Sequence, residues 1–493
     1  MTRLLVGPFN RVEGDLEVSL EVEGGQVASA RVNAPMYRGF EQILQGKNPQ
    51  DALVFVPRIC GICSISQSVA AARALAEMGG MQVPPNGLLA TNLLLAMENL
   101  ADHLTHFYLF FMPDFSRPVY AAQPWYAEAQ KRFHPQTGEQ TCAAIAARQR
   151  WFTLAGTLGG KWPHTQSITP GGSSRAIEAA ERVRLLAKLR EFRSFLERHL
   201  FADELEVFAT LRSEAELWDW HAQWPERGDL RLWLSMVLGG ARFGAADLRS
   251  LGQGPGLYLS YGAYPQAEAG GFVFERGLWR ADSGRLEPLN LDAVREDVSH
   301  AWMADSAAPR HPLQGLTQPD ADKVGAYTWN KAPRLGGEVL ETGAIARQLA
   351  SNHGLIVDAV QHHGGTVFTR VLARVLELAR VLPLMEQWLG ALQTGEPYCA
   401  PPLSTDLEGQ GVGLTEAARG ALGHWVVASR GRIQNYQIVA PTSWNFSPRD
   451  AAGKPGALEQ ALVGAPVLAG ESSPVAVQHI VRSFDPCMVC TVH

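Results

Sequence analysis

The sequence predicts an α+β fold, predominantly helical, with a core of long helices and small peripheral antiparallel sheets. Three observations carry this. Apolar residues recur at helical spacing through long stretches in both halves of the chain. Period-two alternation is confined to short segments near the two ends and to one interval rich in Gly and Pro. The composition, 493 residues with 46% apolar and 19% charged, supplies a large core and excludes intrinsic disorder.

In chain order, residues 1–35 read as strands. Val18–Glu23 alternates apolar and polar side chains, Gly24-Gly25 offers a two-residue hairpin turn, and Val27–Val32 resumes the alternation. Asn86–Phe111 carries Leu, Met, His and Phe at helical spacing. Ser173–Phe201 reads as a second long helix, opened by a Ser-Ser cap. Val367–Leu392 reads as a third, which Pro383 should kink or break. These put a helical core at about 50–240 and 340–430. The interval of about 250–340, with strand-like pieces at 256–261 and 271–274, reads as mixed β and loop. The last segment, 430–493, opens with strand-like sequence over 430–442. No internal repeat divides the chain, and one large domain, 1–493, is expected.

Lys and Arg number 43 and Asp and Glu 49, for a net charge of −6. So mildly acidic a chain has no electrostatic footprint for nucleic acid or an anionic membrane. No apolar run reaches the ~20 residues that a spanning helix needs, so direct membrane insertion is not expected. The first residues move straight into strand-like sequence and lack the apolar core of a secretory signal, which predicts a cytoplasmic protein.

Six cysteines in so long a chain do not make a disulfide scaffold. Four of them stand as two C-x-x-C pairs, Cys60 with Cys63 and Cys487 with Cys490; Cys142 and Cys399 match no metal motif. Each pair can chelate an ion, and two pairs supply four sulfur ligands, a donor set for a soft metal. A structural zinc site is the commonest fate of such pairs, but it usually joins pairs ~15–20 residues apart. Here more than 400 residues intervene, which suits a buried catalytic centre closed by the fold. A redox disulfide would explain only one of the pairs.

The flanking residues sharpen the reading. Arg58-Ile-Cys60-Gly-Ile-Cys63 and Asp485-Pro-Cys487-Met-Val-Cys490-Thr-Val-His493 resemble the two signature motifs of the [NiFe]-hydrogenase large subunit. Five further elements follow that family's order: Arg11-Val-Glu13-Gly, Arg38-Gly-Phe-Glu41, Asp102-His-Leu-Thr-His106, Ala418-Arg419-Gly-Ala-Leu-Gly-His424 and Tyr436–Trp444.

The resemblance implies the large-subunit fold and a nickel ion held by four thiolates, with Cys60 and Cys487 terminal. Cys63 and Cys490 would bridge to an iron that carries one CO and two cyanides. It implies heterolytic cleavage of H2, with Glu13 as the proton relay. Arg419 would sit over the iron and donate to a cyanide, helped by the Thr442 hydroxyl, with Asp102 and Asp485 completing a polar canopy. Glu41, His493 and the carbonyl of Ile438 would hold a structural magnesium ion, whose hard charge suits oxygen ligands. The four paired cysteines are then fully used, so electrons must leave through iron–sulfur clusters in a partner small subunit. A heterodimer or a dimer of heterodimers is expected, assembled with maturation chaperones.

Several positions depart from the common family pattern and look like its regulatory, hydrogen-sensing subgroup. Gln67 stands where a His is usual and Asp15 follows the R-x-E-G element where a His is usual. Ile62 and Phe110 are bulkier than the usual residues near the presumed gas route, which would narrow it for O2. Ala418 replaces a more usual proline in the canopy. The chain ends at the motif histidine, as sensors do and as processed enzymes also do. The leading expectation is therefore an oxygen-tolerant H2 sensor that signals to a histidine kinase. The alternatives are a respiratory uptake hydrogenase and, from another class, a non-catalytic zinc-stabilised subunit of a redox complex.

Overall fold

A computed structural model of the chain describes residues 2–239, 246–266 and 270–493. Met1 and residues 240–245 and 267–269 lie outside the described residues, and with them the expected end of the first helical stretch near 240. The alternation at the N-terminus becomes a three-stranded antiparallel sheet of β1 (Thr2–Val6), β2 (Glu17–Glu23) and β3 (Gln26–Asn33). Val18, Leu20, Val27 and Val32 are buried on one face. The expected glycine pair turns the hairpin, with φ of 59° at Gly24 and 77° at Gly25, the left-handed geometry that two-residue hairpin turns require.

The helical core is built around four long helices. α1 (Ser64–Met78) begins directly after Cys63, and α2 (Pro85–Thr105) runs on into a π-helical turn, His106–Phe111, over the whole interval read as helical. α3 starts later than expected, spanning Ala179–Phe195. Ser173 lies instead in a two-residue strand, and Glu178 with Glu181 forms the capping box. The side chain of Ser173 is already used locally, accepting from the Arg175 amide at 3.2 Å.

α4 (Val367–Ala391) passes through Pro383 without breaking. The ring removes one backbone hydrogen bond, a cost of about 3 kcal/mol. Val371, Leu372, Val375, Leu376, Leu378, Val381, Leu382 and Met385 of the same helix are all buried. At about 1.5–3 kcal/mol for each large apolar side chain, their burial outweighs that cost.

The interval read as mixed carries β4 (Leu257–Pro265) and β5 (Phe272–Arg280), an antiparallel pair flanked by Glu341–Thr342 and Arg285–Glu287. The stretch 340–430 is not helical throughout. Beyond α4, β6 (Gly409–Ala417) and β7 (Gly420–Ser429) form a hairpin, and β8 (Arg432–Val439) completes a three-stranded sheet. Glycine explains the difference, because β6 lies directly on α1. A Cβ at Gly413 would stand 1.8 Å from the Ala70 carbonyl oxygen, and one at Gly411 2.0 Å from that of Ala74. This contact fixes the end of α1 that carries Cys63 relative to the β6–β7 turn, Ala418-Arg419. The chain closes with α5 (Val475–Ser483) and α6 (Met488–Thr491). No helix among the described residues is long and apolar enough to cross a membrane.

Candidate metal centre

Cys63 is the residue before the first turn of α1 and Cys487 the residue before the first turn of α6, so both pairs sit at helix starts. The folded chain brings them together. The ligand atoms of Cys60, Cys63, Cys487 and Cys490 all lie within 4.8 Å of one another and all four residues are buried. Cys63 Sγ is 2.8 Å from Cys490 Sγ, Cys487 Sγ is 3.2 Å from Cys490 Sγ, and Cys60 Sγ is 3.5 Å from Cys487 Sγ. Metal–sulfur bonds of about 2.3 Å place tetrahedral sulfurs about 3.8 Å apart, so these sulfurs would spread a little around an ion, and four thiol groups are a donor set for a soft metal. Hydrogen bonds from Cys487, Cys490 and Cys63 hold the Cys60 thiol well below the usual range, whereas burial pushes Cys490 well above it. Cys142, exposed, and Cys399, half-buried, lie outside this cluster.

Backbone pairing, not side chains, delivers Glu13. Residues around Glu13 and Cys487 form a parallel bridge in which the Met488 amide donates to the Glu13 carbonyl at 2.7 Å. Gly14 makes room for it: φ is +82° and a Cβ would meet the Val489 amide nitrogen at 3.1 Å. The half-buried Glu13 carboxyl is raised above its ordinary range, first by burial and then by the negative Cys60 beside it. Raised so, it can hold a proton that an exposed glutamate would release.

Arg419 occupies the tip of the β6–β7 hairpin and is buried. Its guanidinium donates to Asp102 Oδ2 at 3.0 Å, Asp485 Oδ1 at 3.1 Å and the Asp485 carbonyl at 3.0 Å. Burial pushes Asp102 up to about 7 despite the arginine, while the same arginine holds Asp485 below its ordinary value against its own burial. Thr442 Oγ1 accepts from the Cys487 amide at 3.1 Å, which leaves its own proton free to donate. The Ala418 carbonyl accepts from Arg347 at 3.0 Å. Arg347 is fully satisfied: five N–H groups meet Glu377 Oε1 and Oε2, Glu416 Oε2 and the carbonyls of Ala417 and Ala418, all at 2.8–3.0 Å.

His493 is 8% exposed, so the last residue of the sequence is inside the protein. Its Nε2 lies 3.1 Å from Glu41 Oε1, and the Cys490 carbonyl accepts from its Nδ1 at 2.9 Å. At Ile438 it is the amide that faces Glu41, donating at 2.8 Å. Burial raises the Glu41 carboxyl, but the Lys331 ammonium at 2.9 Å and His493 together hold it far below the usual range.

Gln67 sits where its departure from the family pattern can act. Its Nε2 is 4.0 Å from Cys490 Sγ, and its Oε1 is 2.8 Å from His424 Nε2. An amide oxygen only accepts, so His424 Nε2 carries the proton and Nδ1 accepts from the Tyr436 hydroxyl at 2.8 Å. Burial pushes His424 down to about 3, consistent with one ring proton. Ile62 packs against the cysteine cluster, and Phe110 is half-buried in the π-helical turn, its carbonyl accepting from Arg11 at 3.0 Å. Asp15 is exposed.

Three contributors escape a reading of the sequence. Arg38 donates to the carbonyls of Ile59, at 2.6 Å, and Val489, and so staples the two cysteine segments. Its place in the Arg38-Gly-Phe-Glu41 element was a visible signal. Arg374 of α4 donates to the Phe484 carbonyl at 2.9 Å and lies 3.5 Å from Asp485 Oδ2. Glu98 receives the Ile65 amide at 2.8 Å, the Ser66 amide and hydroxyl at 2.9 Å and Trp162 Nε1 at 3.3 Å, anchoring the start of α1 beside Cys63. Neither Arg374 nor Glu98 belongs to a motif.

The sequence model of the nickel-dependent hydrogenase family matches residues 38–141 and 240–493. The periplasmic [NiFeSe] hydrogenase large subunit of Desulfomicrobium baculatum is 30% identical over all of this chain and 95% of its own. The quinone-reactive Ni/Fe-hydrogenase large chain of Wolinella succinogenes is 27% identical over all of this chain and 96% of its own. Among solved structures, the reduced Ni-Fe-Se hydrogenase of D. vulgaris Hildenborough superposes with a TM-score of 0.83 at 30% identity, each chain covered in full.

Proposed function

The chain belongs to the nickel-dependent hydrogenase family as a [NiFe]-hydrogenase large subunit, and from that premise we propose that Cys60, Cys63, Cys487 and Cys490 hold a nickel–iron centre with CO and cyanide on the iron. When bound, such a centre supplies an open metal position at which H2 is split heterolytically. The observation that carries the reading is the convergence of four buried sulfur atoms under a buried arginine. Family membership sets aside the non-catalytic zinc reading.

The chain's own residues divide the remaining work. One of the two terminal thiolates, Cys60 or Cys487, would take the proton of the split H2, and Glu13, which stands beside Cys60, would receive that proton in turn. Arg419, fixed between Asp102 and Asp485, would present a permanent charge to a cyanide on the iron, and the Thr442 hydroxyl would donate to the same group. Glu41, His493 and the Ile438 backbone would hold magnesium and tie down the segment that carries Cys490. An iron–sulfur small subunit would take the electrons. In Glu13→Gln, H/D exchange at the metal centre is expected to fall about 100-fold or more with nickel content unchanged, the scale of a lost general base. Exchange at the parental rate would eliminate Glu13 as the path.

We read the subunit further as an H2 sensor, cytoplasmic, oxygen-tolerant and coupled to a histidine kinase. Gln67, aimed at Cys490 and braced by His424 and Tyr436, together with Ile62 and Phe110, supports this. The competing reading, respiratory uptake, is favoured by the quinone-reactive name of the Wolinella relative, and the Desulfomicrobium relative is named as periplasmic. Steady-state H2 oxidation by the purified heterodimer with a quinone or a soluble dye separates the two. A sensor turns over slowly with either acceptor; rapid turnover with quinone would replace it with the uptake enzyme.

A further inference from the structure

Away from the cysteine centre, a cavity of about 450 Å³ opens between the start of the chain, the segment after the π-helical turn and α5. Three arginines line it, Arg11, Arg117 and Arg482, together with Asn10, Ser116 and Gln478, and no carboxylate is among its lining residues. The acid that all three share is Asp114, fully buried, which Arg11 contacts directly, Arg482 at 2.6 Å and Arg117 at 3.7 Å. One carboxylate against three guanidinium groups leaves two positive charges facing the cavity.

The neutral acceptors nearby do not absorb them. Gln478 Oε1 is shared by Arg117 and Arg482, each at 3.0 Å, and the Asn10 carbonyl and side-chain oxygens both accept from Arg482. Arg482 is 1% exposed, yet its Nε–H has no acceptor. Buried N–H groups without partners are rare in folded proteins, and a buried guanidinium still more so. Burial and the two neighbouring arginines push Arg482 down to about 10, so it is still charged at neutral pH.

We propose that this cavity is an oxyanion site, taking a phosphate- or carboxylate-class ligand between Arg117, Arg482 and Arg11. Planar guanidinium forks match the paired oxygens of both groups, and charge-assisted hydrogen bonds of this kind are roughly twice as strong as neutral ones. The anion can be free in solution or be an acidic side chain of the associated subunit; the recognition chemistry is the same. The inference stands whatever metal the cysteines hold.

The test uses the purified, nickel-loaded heterodimer, titrated calorimetrically with inorganic phosphate against chloride at equal ionic strength, which removes the screening contribution. Saturable phosphate binding, weakened about tenfold or more in Arg117→Gln, is the expected result for a free anion. Arg117 is the most exposed member of the trio and stands farthest from Asp114, so the variant keeps the Asp114 pairs with Arg11 and Arg482 intact. Absence of phosphate binding together with a subunit dissociation constant raised at least tenfold in Arg117→Gln assigns the site to a carboxylate of the partner. The absence of both responses would overturn the proposal.

Discussion

Cys490→Ser is expected to yield a subunit that retains no nickel and shows no H2-dependent activity. Cys490 Sγ lies within 3.2 Å of two other sulfurs, so it is central to the donor set rather than peripheral. A serine hydroxyl is harder, shorter and protonated at neutral pH, which removes one soft anionic ligand of four. Loss of a metal's supporting partner alone costs about 10–100-fold in affinity, and loss of a direct ligand costs more. Metal analysis of the purified variant beside Cys142→Ser makes the comparison, since Cys142 is exposed and outside the cluster. Full nickel occupancy in Cys490→Ser would remove Cys490 from the ligand set.

Glu377→Ala is expected to be the most damaging substitution outside the centre. Both Glu377 oxygens accept from Arg347 at 3.0 Å, and His103 Nε2 stands 3.2 Å away, all three residues being fully buried or nearly so. Removing Glu377 strips Arg347 of one of its two buried carboxylates and leaves Glu416 Oε2, at 2.8 Å, to face the charge alone, at a cost toward the lower end of about 3–5 kcal/mol. Although burial raises it, Glu377 is held by Arg347 and His103 down to about 2 from an ordinary 4.5. A depressed carboxyl contributes stability that is complete above 4.5 and lost as pH falls toward 2, about 3 kcal/mol in all. The urea midpoint of Glu377→Ala should therefore lie far below the parent at pH 7, and the gap should narrow as both are acidified below pH 4.5. A gap that stays constant with pH would mean that lost packing, not charge, is responsible. Arg347 also holds the carbonyls of Ala417 and Ala418, so the variant should loosen the turn that presents Arg419.

The sequence showed what is local or what is repeated in a motif. The Gly24-Gly25 hairpin was legible because left-handed turn geometry has few solutions, and the cysteine pairs because chelation has a fixed spacing. The helix start at Ala179 was missed because Ser-Ser is a good cap in isolation, whereas Ser173 is held in a short strand and bonded to Arg175. The helix over 367–392 was legible, but not that it would run through Pro383 unbroken, because the cost of the proline is local while the burial that outweighs it is set by neighbours distant in sequence. β6 and β7 were folded into a helical interval because their glycines declare their purpose only against the backbone of α1. Arg374 and Glu98 act through single long-range contacts, which leave no periodicity to read.

The sulfur ligands of Cys63 and Cys490 are 427 residues apart. A metal bridging them is, in polymer terms, a cross-link that closes nearly the whole chain into a ring. Closing a loop of that length removes about 6 kcal/mol of freedom from the unfolded ensemble, by the chain-entropy account used for disulfides. An ion at the centre is thus also a topological tether, one that keeps the two ends of the unfolded chain joined. That makes retention of the metal and global cooperativity of unfolding two readings of a single constraint.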